Sequence, residues 1–170
     1  RSEGDPLNQG FDFFYGYNCQ RHAHSYYPGW LWKNHQKVTL GRKDTVDGYS
    51  HYRLTAEARS FIRDNRDQPF FLYLAYTIPH SHIQIPKSDP NVIQYAEEDW
   101  PPVQKRLAGM ISLLDQDVGG LLDLLAELKI DRDTLVIFTS DNGASVAGGV
   151  ISNFFNDSGP LRGIKRNLYE

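Results

Sequence analysis

Apolar and polar positions alternate in different ways along this chain, and each pattern predicts a different kind of element. Between residues 103 and 129, Leu107, Met110, Ile111, Leu114, Val118, Leu121, Leu122, Leu125 and Leu128 recur at spacings of three and four. That period predicts a long amphipathic helix over Val103–Lys129, its Leu107/Ile111/Leu114/Val118/Leu122/Leu125 face laid on a sheet. Leu54, Ala58, Phe61 and Ile62 predict a shorter helix across Ala56–Asn65, capped by Thr55. Two runs lack a polar face altogether: Phe70-Phe-Leu-Tyr-Leu-Ala-Tyr76 and Leu135-Val-Ile-Phe-Thr-Ser140. They predict strands of one parallel or mixed sheet, neighbours or nearly so, because both faces of each need burial. Residues 1–10, the stretch from about 18 to 50 and the proline-punctuated stretch 87–102 read as loops, and Phe11–Tyr17 as aromatic backbone with a short strand. Helices alternating with strands give an α/β fold.

Composition changes this picture little. The 170 residues are 40% apolar and 23% charged, an ordinary globular balance that fits one domain with a real core. A net charge of −3 argues against a nucleic-acid backbone as partner. Cys19 is the only cysteine, which excludes an internal disulfide and a cysteine-built zinc site. The longest apolar run, Phe70–Tyr76, is far too short to span a bilayer. The chain begins with Arg1 rather than Met and shows no signal peptide, so it reads as the interior of a longer sequence.

Chemistry-bearing residues gather after the predicted strands. In open α/β sheets, ligands collect beyond the carboxyl ends of strands. Asp141, Asn142 and Gly143 follow the second strand there, offering two oxygen donors suited to a hard divalent cation. Asn-Gly is also the commonest hairpin-turn dipeptide, so the tripeptide alone does not decide. His80 follows the first strand, on a loop that Pro79 and Pro86 keep irregular; a lone loop histidine is most often structural. Lys165 lies beyond a glycine-rich loop between Arg162 and Arg166, which by itself reads as a solvated basic patch. Gly159–Lys165 does not fit a P-loop, because Ile164 separates Gly163 from Lys165 and no Ser or Thr follows. On one rim, a cation, an imidazole and a metal site would suit an anionic ester such as a sulfate or phosphate.

Four segments in order carry a family resemblance over nearly the whole chain. They are Phe11-Asp-Phe-Phe-Tyr-Gly-Tyr17 with Tyr26-Tyr27-Pro28 and Leu31-Trp32, then Pro69–His80, Thr139-Ser-Asp-Asn-Gly143, and Gly159-Pro-Leu-Arg-Gly-Ile-Lys165. Together they resemble the middle of the catalytic domain of sulfatases, arylsulfatase-type members of the alkaline-phosphatase-like superfamily. The resemblance implies part of an alkaline-phosphatase-like mixed sheet flanked by helices. It also implies that Asp141 and Asn142 are two ligands of a Ca²⁺ ion, and that Lys165 binds a sulfate oxygen and balances its charge. His80 would contact the bridging oxygen and help to protonate the leaving alcohol, and His24 would contact substrate. The family's nucleophile is a formylglycine made from Cys or Ser in Cys/Ser-x-Pro/Ala-x-Arg. Cys19-Gln-Arg-His-Ala23 does not fit that pattern, so Cys19 is not the nucleophile.

The expectation is therefore a partial catalytic domain over residues 1–170, cut at both ends and without its nucleophile segment. Its partner would be a sulfated small molecule or glycan, and its compartment, by resemblance, periplasmic or extracellular. Two alternatives stay open: a phosphodiester or phosphonate ester hydrolase of the same superfamily, and an inactive glycan-binding fragment using the aromatic residues between 15 and 32.

Overall fold

The computed structural model describes residues 3–168, which fall into two compact units. The first runs to Ile78 and takes in Gln84–Ser88; the second comprises Pro79–Ile83 and the chain from Asp89 onward. The class is α/β, as expected, but the hydrogen-bonded sheet lies in the aromatic region that sequence reading left irregular.

In the first unit, β1 (Tyr15–Gly16), β2 (Trp30–Lys33) and β3 (Gln36–Thr39) form an antiparallel sheet in that order. The hairpin arises from alternation: Leu31 pairs with Val38 on the inner face, while Trp30, Trp32 and Lys37 point outward. Asn34 supplies the left-handed turn residue, with φ 53°. It also ties β1 in, because its Oδ1 accepts from the Phe14 N–H at 2.9 Å and its own N–H donates to Phe14 O at 2.7 Å. A four-residue helix, α1 (Gln20–Ala23), precedes β2. Leu31, Leu40 and Leu54 make the core, packed against Tyr15, Tyr17 and Tyr76.

Helix α2 (Ser50–Asp64) buries the expected Leu54/Ala58/Ile62 face but starts earlier than Thr55. The Ser50 N–H donates to Tyr26 O at 2.9 Å, so the helix entry is fixed by the aromatic segment rather than by a hydroxyl cap. Thr55 is instead buried inside the helix, its hydroxyl 2.8 Å from the Tyr76 hydroxyl. Residues 70–76 form no regular element; Phe70 lies edge-on to Phe61, and Tyr76 packs on His51. Their other face is open: Phe71 is 75% and Tyr73 70% exposed.

In the second unit, α3 (Pro90–Ile93) and α4 (Pro102–Glu127) pack together. Residues 87–102 are thus not a free loop. Asp89 caps α3 by accepting from the Asn91 N–H at 2.8 Å, and Tyr95 shares a 2.8 Å hydrogen bond with Ser112. Gly109 permits the close approach, since a Cβ there would sit 2.5 Å from Val92 Cγ2. The long helix has nearly its expected bounds and runs unbroken through Gly119-Gly120, but a different face is buried. Leu107, Met110, Leu113, Leu124 and Leu125 are covered, whereas Ile111 and Leu122 are 46% exposed. Helix α3 and residue 151 take the side that carries Leu107 and Gln104; Gln104 Oε1 accepts from the Ile151 N–H at 3.1 Å.

The expected pair of buried strands is corrected. Neither 70–76 nor 135–140 enters a ladder among the described residues. Leu135, Ile137 and Phe138 are 86%, 77% and 73% exposed. A run that is apolar on both faces becomes a buried strand only where ladders flank it and layers cover it. Here α2 covers one face of 70–76, and 135–138 has no cover.

Two outcomes follow from the packing. Leu113→Ala should lower stability by about 2–5 kcal/mol through the cavity it leaves, while Ile111→Ala should cost less than about 1 kcal/mol. Urea unfolding of the two variants checks this, and equal effects would mean that the buried face of α4 is misassigned.

The aromatic core gives the second. Tyr17, Tyr26 and Tyr49 donate their hydroxyls to the carbonyls of Ser25, Thr77 and Gln84 at 2.7–2.9 Å. Burial pushes the Tyr17 phenol from 10.0 up to about 12 and raises Tyr26 as well. A raised acid pKa stabilises the fold while the group stays protonated. That contribution is complete below about pH 10, the unfolded value, and is lost as pH rises through the folded value. Phenolate absorbance should show late-titrating tyrosines whose ionisation coincides with loss of near-ultraviolet circular dichroism; titration of every tyrosine near pH 10 in folded protein would refute this.

Candidate active site

Four of the five expected site residues, His80, Asp141, Asn142 and Lys165, belong to the second unit, on three loops. Residues 139–144 leave the extended 135–138 run, and Ser140 Oγ donates to Asn142 O at 2.9 Å to bend the backbone. Lys165 is carried on a turn closed twice: the Asn167 N–H donates to Ile164 O, and the Ile164 N–H to Asn167 Oδ1, both at 2.9 Å. Arg166 takes φ 79° to complete it. Ser158 Oγ braces the preceding loop by donating to Gly163 O at 2.7 Å.

The two loops are joined. The Lys165 N–H donates to Ala144 O at 2.7 Å. A Cβ on Gly143 would lie 3.7–3.8 Å from the Ile164 carbonyl carbon and the Lys165 nitrogen. The Lys165 backbone is thereby tied to Ala144, two residues beyond Asn142 and three beyond Asp141. Lys165 and Asn142 are half-buried, and Asp141 is exposed.

His80 stands on the third loop, exposed, its Nδ1 hydrogen-bonded to Ser81 O. That loop leans on the 3₁₀ turn Ala147–Gly149: a Cβ on Gly148 would fall 3.2 Å from Ser81 Cβ and 3.3 Å from Ile83 Cγ1. Gly148 also has φ 77°, so both sterics and backbone require glycine there. His24 lies in the first unit, half-buried, with Nδ1 donating to Gln20 O at 2.8 Å. Cys19 is exposed at the start of α1.

The donor set fits a hard cation in kind but not in number. Carboxylate and amide oxygens suit Ca²⁺, yet Asp141 and Asn142 give two side chains toward the ~6–8 oxygens it takes. Among the described residues, no group of three or more His, Cys, Asp or Glu gathers into a metal cage. No helix among them is long and apolar enough to cross a membrane.

A family model described as Sulfatase matches residues 1–170. This chain belongs to the sulfatase family. It is 32% identical to the uncharacterized sulfatase YdeN of Escherichia coli K12, over 98% of this chain and 28% of that one. It is 29% identical to the mouse N-acetylgalactosamine-6-sulfatase, over its full length and 33% of that protein. With human steryl-sulfatase it shares 36% identity over 55% of this chain and 15% of that one. The fold is also that of the solved Ps i-CgsB, whose structures include a complex with k-i-k-neocarrahexaose. The TM-score is 0.70 at 27% identity, covering 89% of this chain and 36% of that one. The sulfatase chain described here therefore spans a third or less of the curated relatives it matches.

Sequence reading missed the turn closed by Asn167 and the dependence of the His80 loop on Gly148. The positive-φ glycine pair Gly148-Gly149 was the available signal. Gly148→Ala should cost about 1 kcal/mol or more from backbone strain and the crowded Cβ. Hydrogen exchange should rise first in residues 80–83; unchanged protection there would show that the two loops are not coupled.

Proposed function

We propose that these residues are the part of a sulfatase catalytic domain that grips and neutralises a sulfate ester. The observation that supports the reading is the Lys165–Ala144 hydrogen bond, which ties the Lys165 backbone to the loop carrying Asp141 and Asn142 in a chain of this family. Asp141 and Asn142 would hold Ca²⁺ with further ligands, and the bound ion would supply positive charge against the sulfate oxygens.

The roles of the side chains follow from charge. A sulfate monoester is a tetrahedral anion, and negative charge builds on the bridging oxygen as its bond to sulfur breaks. The Lys165 ammonium binds a non-bridging oxygen and offsets charge present throughout, aiding binding as well as turnover. His80, exposed at its loop tip, protonates the departing alcohol oxygen and so removes the charge that develops there. His24 is a substrate-contact residue by resemblance to the family only. The nucleophile, a formylglycine, is not Cys19: Gln20 and Arg21 follow it, and Ala23 occupies the position where the family pattern needs Arg. The substrate is a sulfated small molecule or a sulfated glycan.

Two measurements test this. In a catalytic domain that includes the nucleophile segment, Asp141→Ala or Lys165→Ala should lower kcat/KM for an aryl sulfate about 10²-fold or more. A normal kcat/KM in either variant would overturn the roles, and faster turnover of the matching phosphate ester would overturn the substrate class. The 170-residue chain alone should show no turnover, even with Ca²⁺ and after treatment with a formylglycine-generating enzyme. It should also bind Ca²⁺ weakly by calorimetry.

A further inference from the structure

The loop that carries the candidate metal ligands also holds the one Asn-Gly step of the sequence, Asn142-Gly143. Such a step can rearrange unaided where the glycine nitrogen is free to reach the side-chain amide carbon, since glycine has no Cβ to obstruct the approach. Three observations leave that path open here. Residues 134–146 belong to no helix or strand, so no regular hydrogen-bond pattern holds the Asn142 backbone. Gly143 is exposed, and neither its N–H nor the Asn142 side chain makes a hydrogen bond among the described residues. Ser140 Oγ donates to Asn142 O at 2.9 Å, drawing electron density from the peptide whose nitrogen must lose its proton.

The first unit offers a contrast. Asp47-Gly48 could form the same cyclic imide, but Gly48 is buried and its N–H is donated to Thr45, to the carbonyl at 3.2 Å and to Oγ1 at 3.1 Å. That nitrogen cannot swing toward the Asp47 carboxyl without first breaking both contacts.

We propose that Asn142 is a self-modifying residue, deamidating through a cyclic imide with Gly143. Hydroxide takes the Gly143 amide proton, and the nitrogen attacks Asn142 Cγ. The N–C bond forms as the Cγ–Nδ2 bond breaks, and ammonia leaves with a proton from water, which regenerates the hydroxide. A water molecule then opens the imide. Opening at Cγ restores the main chain and leaves an aspartate; opening at the main-chain carbonyl leaves an isoaspartate, whose backbone runs through the former side chain.

Either product alters the candidate site, a consequence that rests on the roles proposed above, whereas the modification itself does not. The aspartate replaces an amide donor beside Asp141 with a second carboxylate, which grips a hard cation more strongly. The isoaspartate adds a methylene to the main chain ahead of Ala144, whose carbonyl accepts from the Lys165 N–H at 2.7 Å.

Incubating the folded chain at neutral pH in water enriched in heavy oxygen, followed by peptide mass mapping, reads the modification without any activity measurement. Asn142 should exchange its amide for a heavy-oxygen acid ahead of every other asparagine, and within about tenfold of its rate in the urea-unfolded chain. Isomerisation at Asp47 should fall more than about tenfold below its own unfolded rate. Gly143→Ala should slow deamidation about tenfold or more. The added Cβ meets only ordinary contacts, 3.7–3.9 Å from the backbone of Ile164 and Lys165, so the variant keeps the loop. Hydrogen exchange at the Lys165 amide should rise in the isoaspartate fraction. An intact Asn142 after the unfolded chain has reacted, an equal rate in Gly143→Ala, an unsuppressed Asp47, or unchanged Lys165 protection in the isoaspartate fraction would each overturn the proposal. Normal activity in the Asp141 or Lys165 variants would sink the catalytic reading and leave these mass readouts unmoved.

Discussion

The hydrogen bond from Lys165 N–H to Ala144 O is the constraint on which the candidate site depends. It joins two loops that are otherwise far apart in sequence and fixes the lysine backbone at the level of Gly143. Because the tie is main chain to main chain, it survives many side-chain changes on either loop. What it needs is a turn at 164–167 that points one N–H inward. The Asn167 side chain and the left-handed Arg166 supply that turn. Function-bearing side chains on loops are thus placed by backbone geometry rather than by a packed core.

Much of the second unit was legible in the sequence, because its signals are local. The period of α4 follows from spacings of three and four, and its observed bounds, Pro102–Glu127, fall within two residues of those expected. The sign of its buried face was not legible. Leu113 and Leu124 look no different from Ile111 and Leu122 until α3 is known to pack at Gly109. The apolar run 135–140 was read as a strand and forms none, because whether such a run joins a sheet depends on its neighbours and not on itself. The hairpin at Trp30–Thr39 was readable in principle from its alternation around Asn34; its dense aromatic content hid the pattern, since tryptophans occupy the outward positions that polar residues usually mark. The candidate site residues came from family segments, and the fold ties the Lys165 loop to the loop carrying Asp141 and Asn142.

The two units are built on different physics. The first is held by aromatic rings, and the hydroxyls of Tyr17, Tyr26 and Tyr49 each find a carbonyl, so these large residues are buried without stranding their polar ends. Tyr26 and Tyr49 are wholly buried on these terms. The ion pair between Lys33 and Glu57 is solvent-exposed enough to add little. The second unit uses aliphatic helix packing with a small cluster of Trp100, Tyr95, Phe154 and Phe155. Alkaline pH strains the first kind of core through Tyr17 and Tyr26.

The exposed run at 135–138 has a bearing on handling the protein. Thr134–Ser140 is uncharged, free of proline and glycine, and rich in β-formers, the composition from which cross-β stacks nucleate. Its unladdered backbone is an open template for another copy of the same segment. Asp133 and Asp141 stand at its two ends as gatekeepers, their like charges repelling a stacked neighbour. Asp141, proposed above as a metal ligand, is therefore also placed to keep the chain dispersed. Any variant that removes its carboxylate removes a guard against fibrils as well, and its loss of activity is meaningful only when measured per mole of protein that stays in solution.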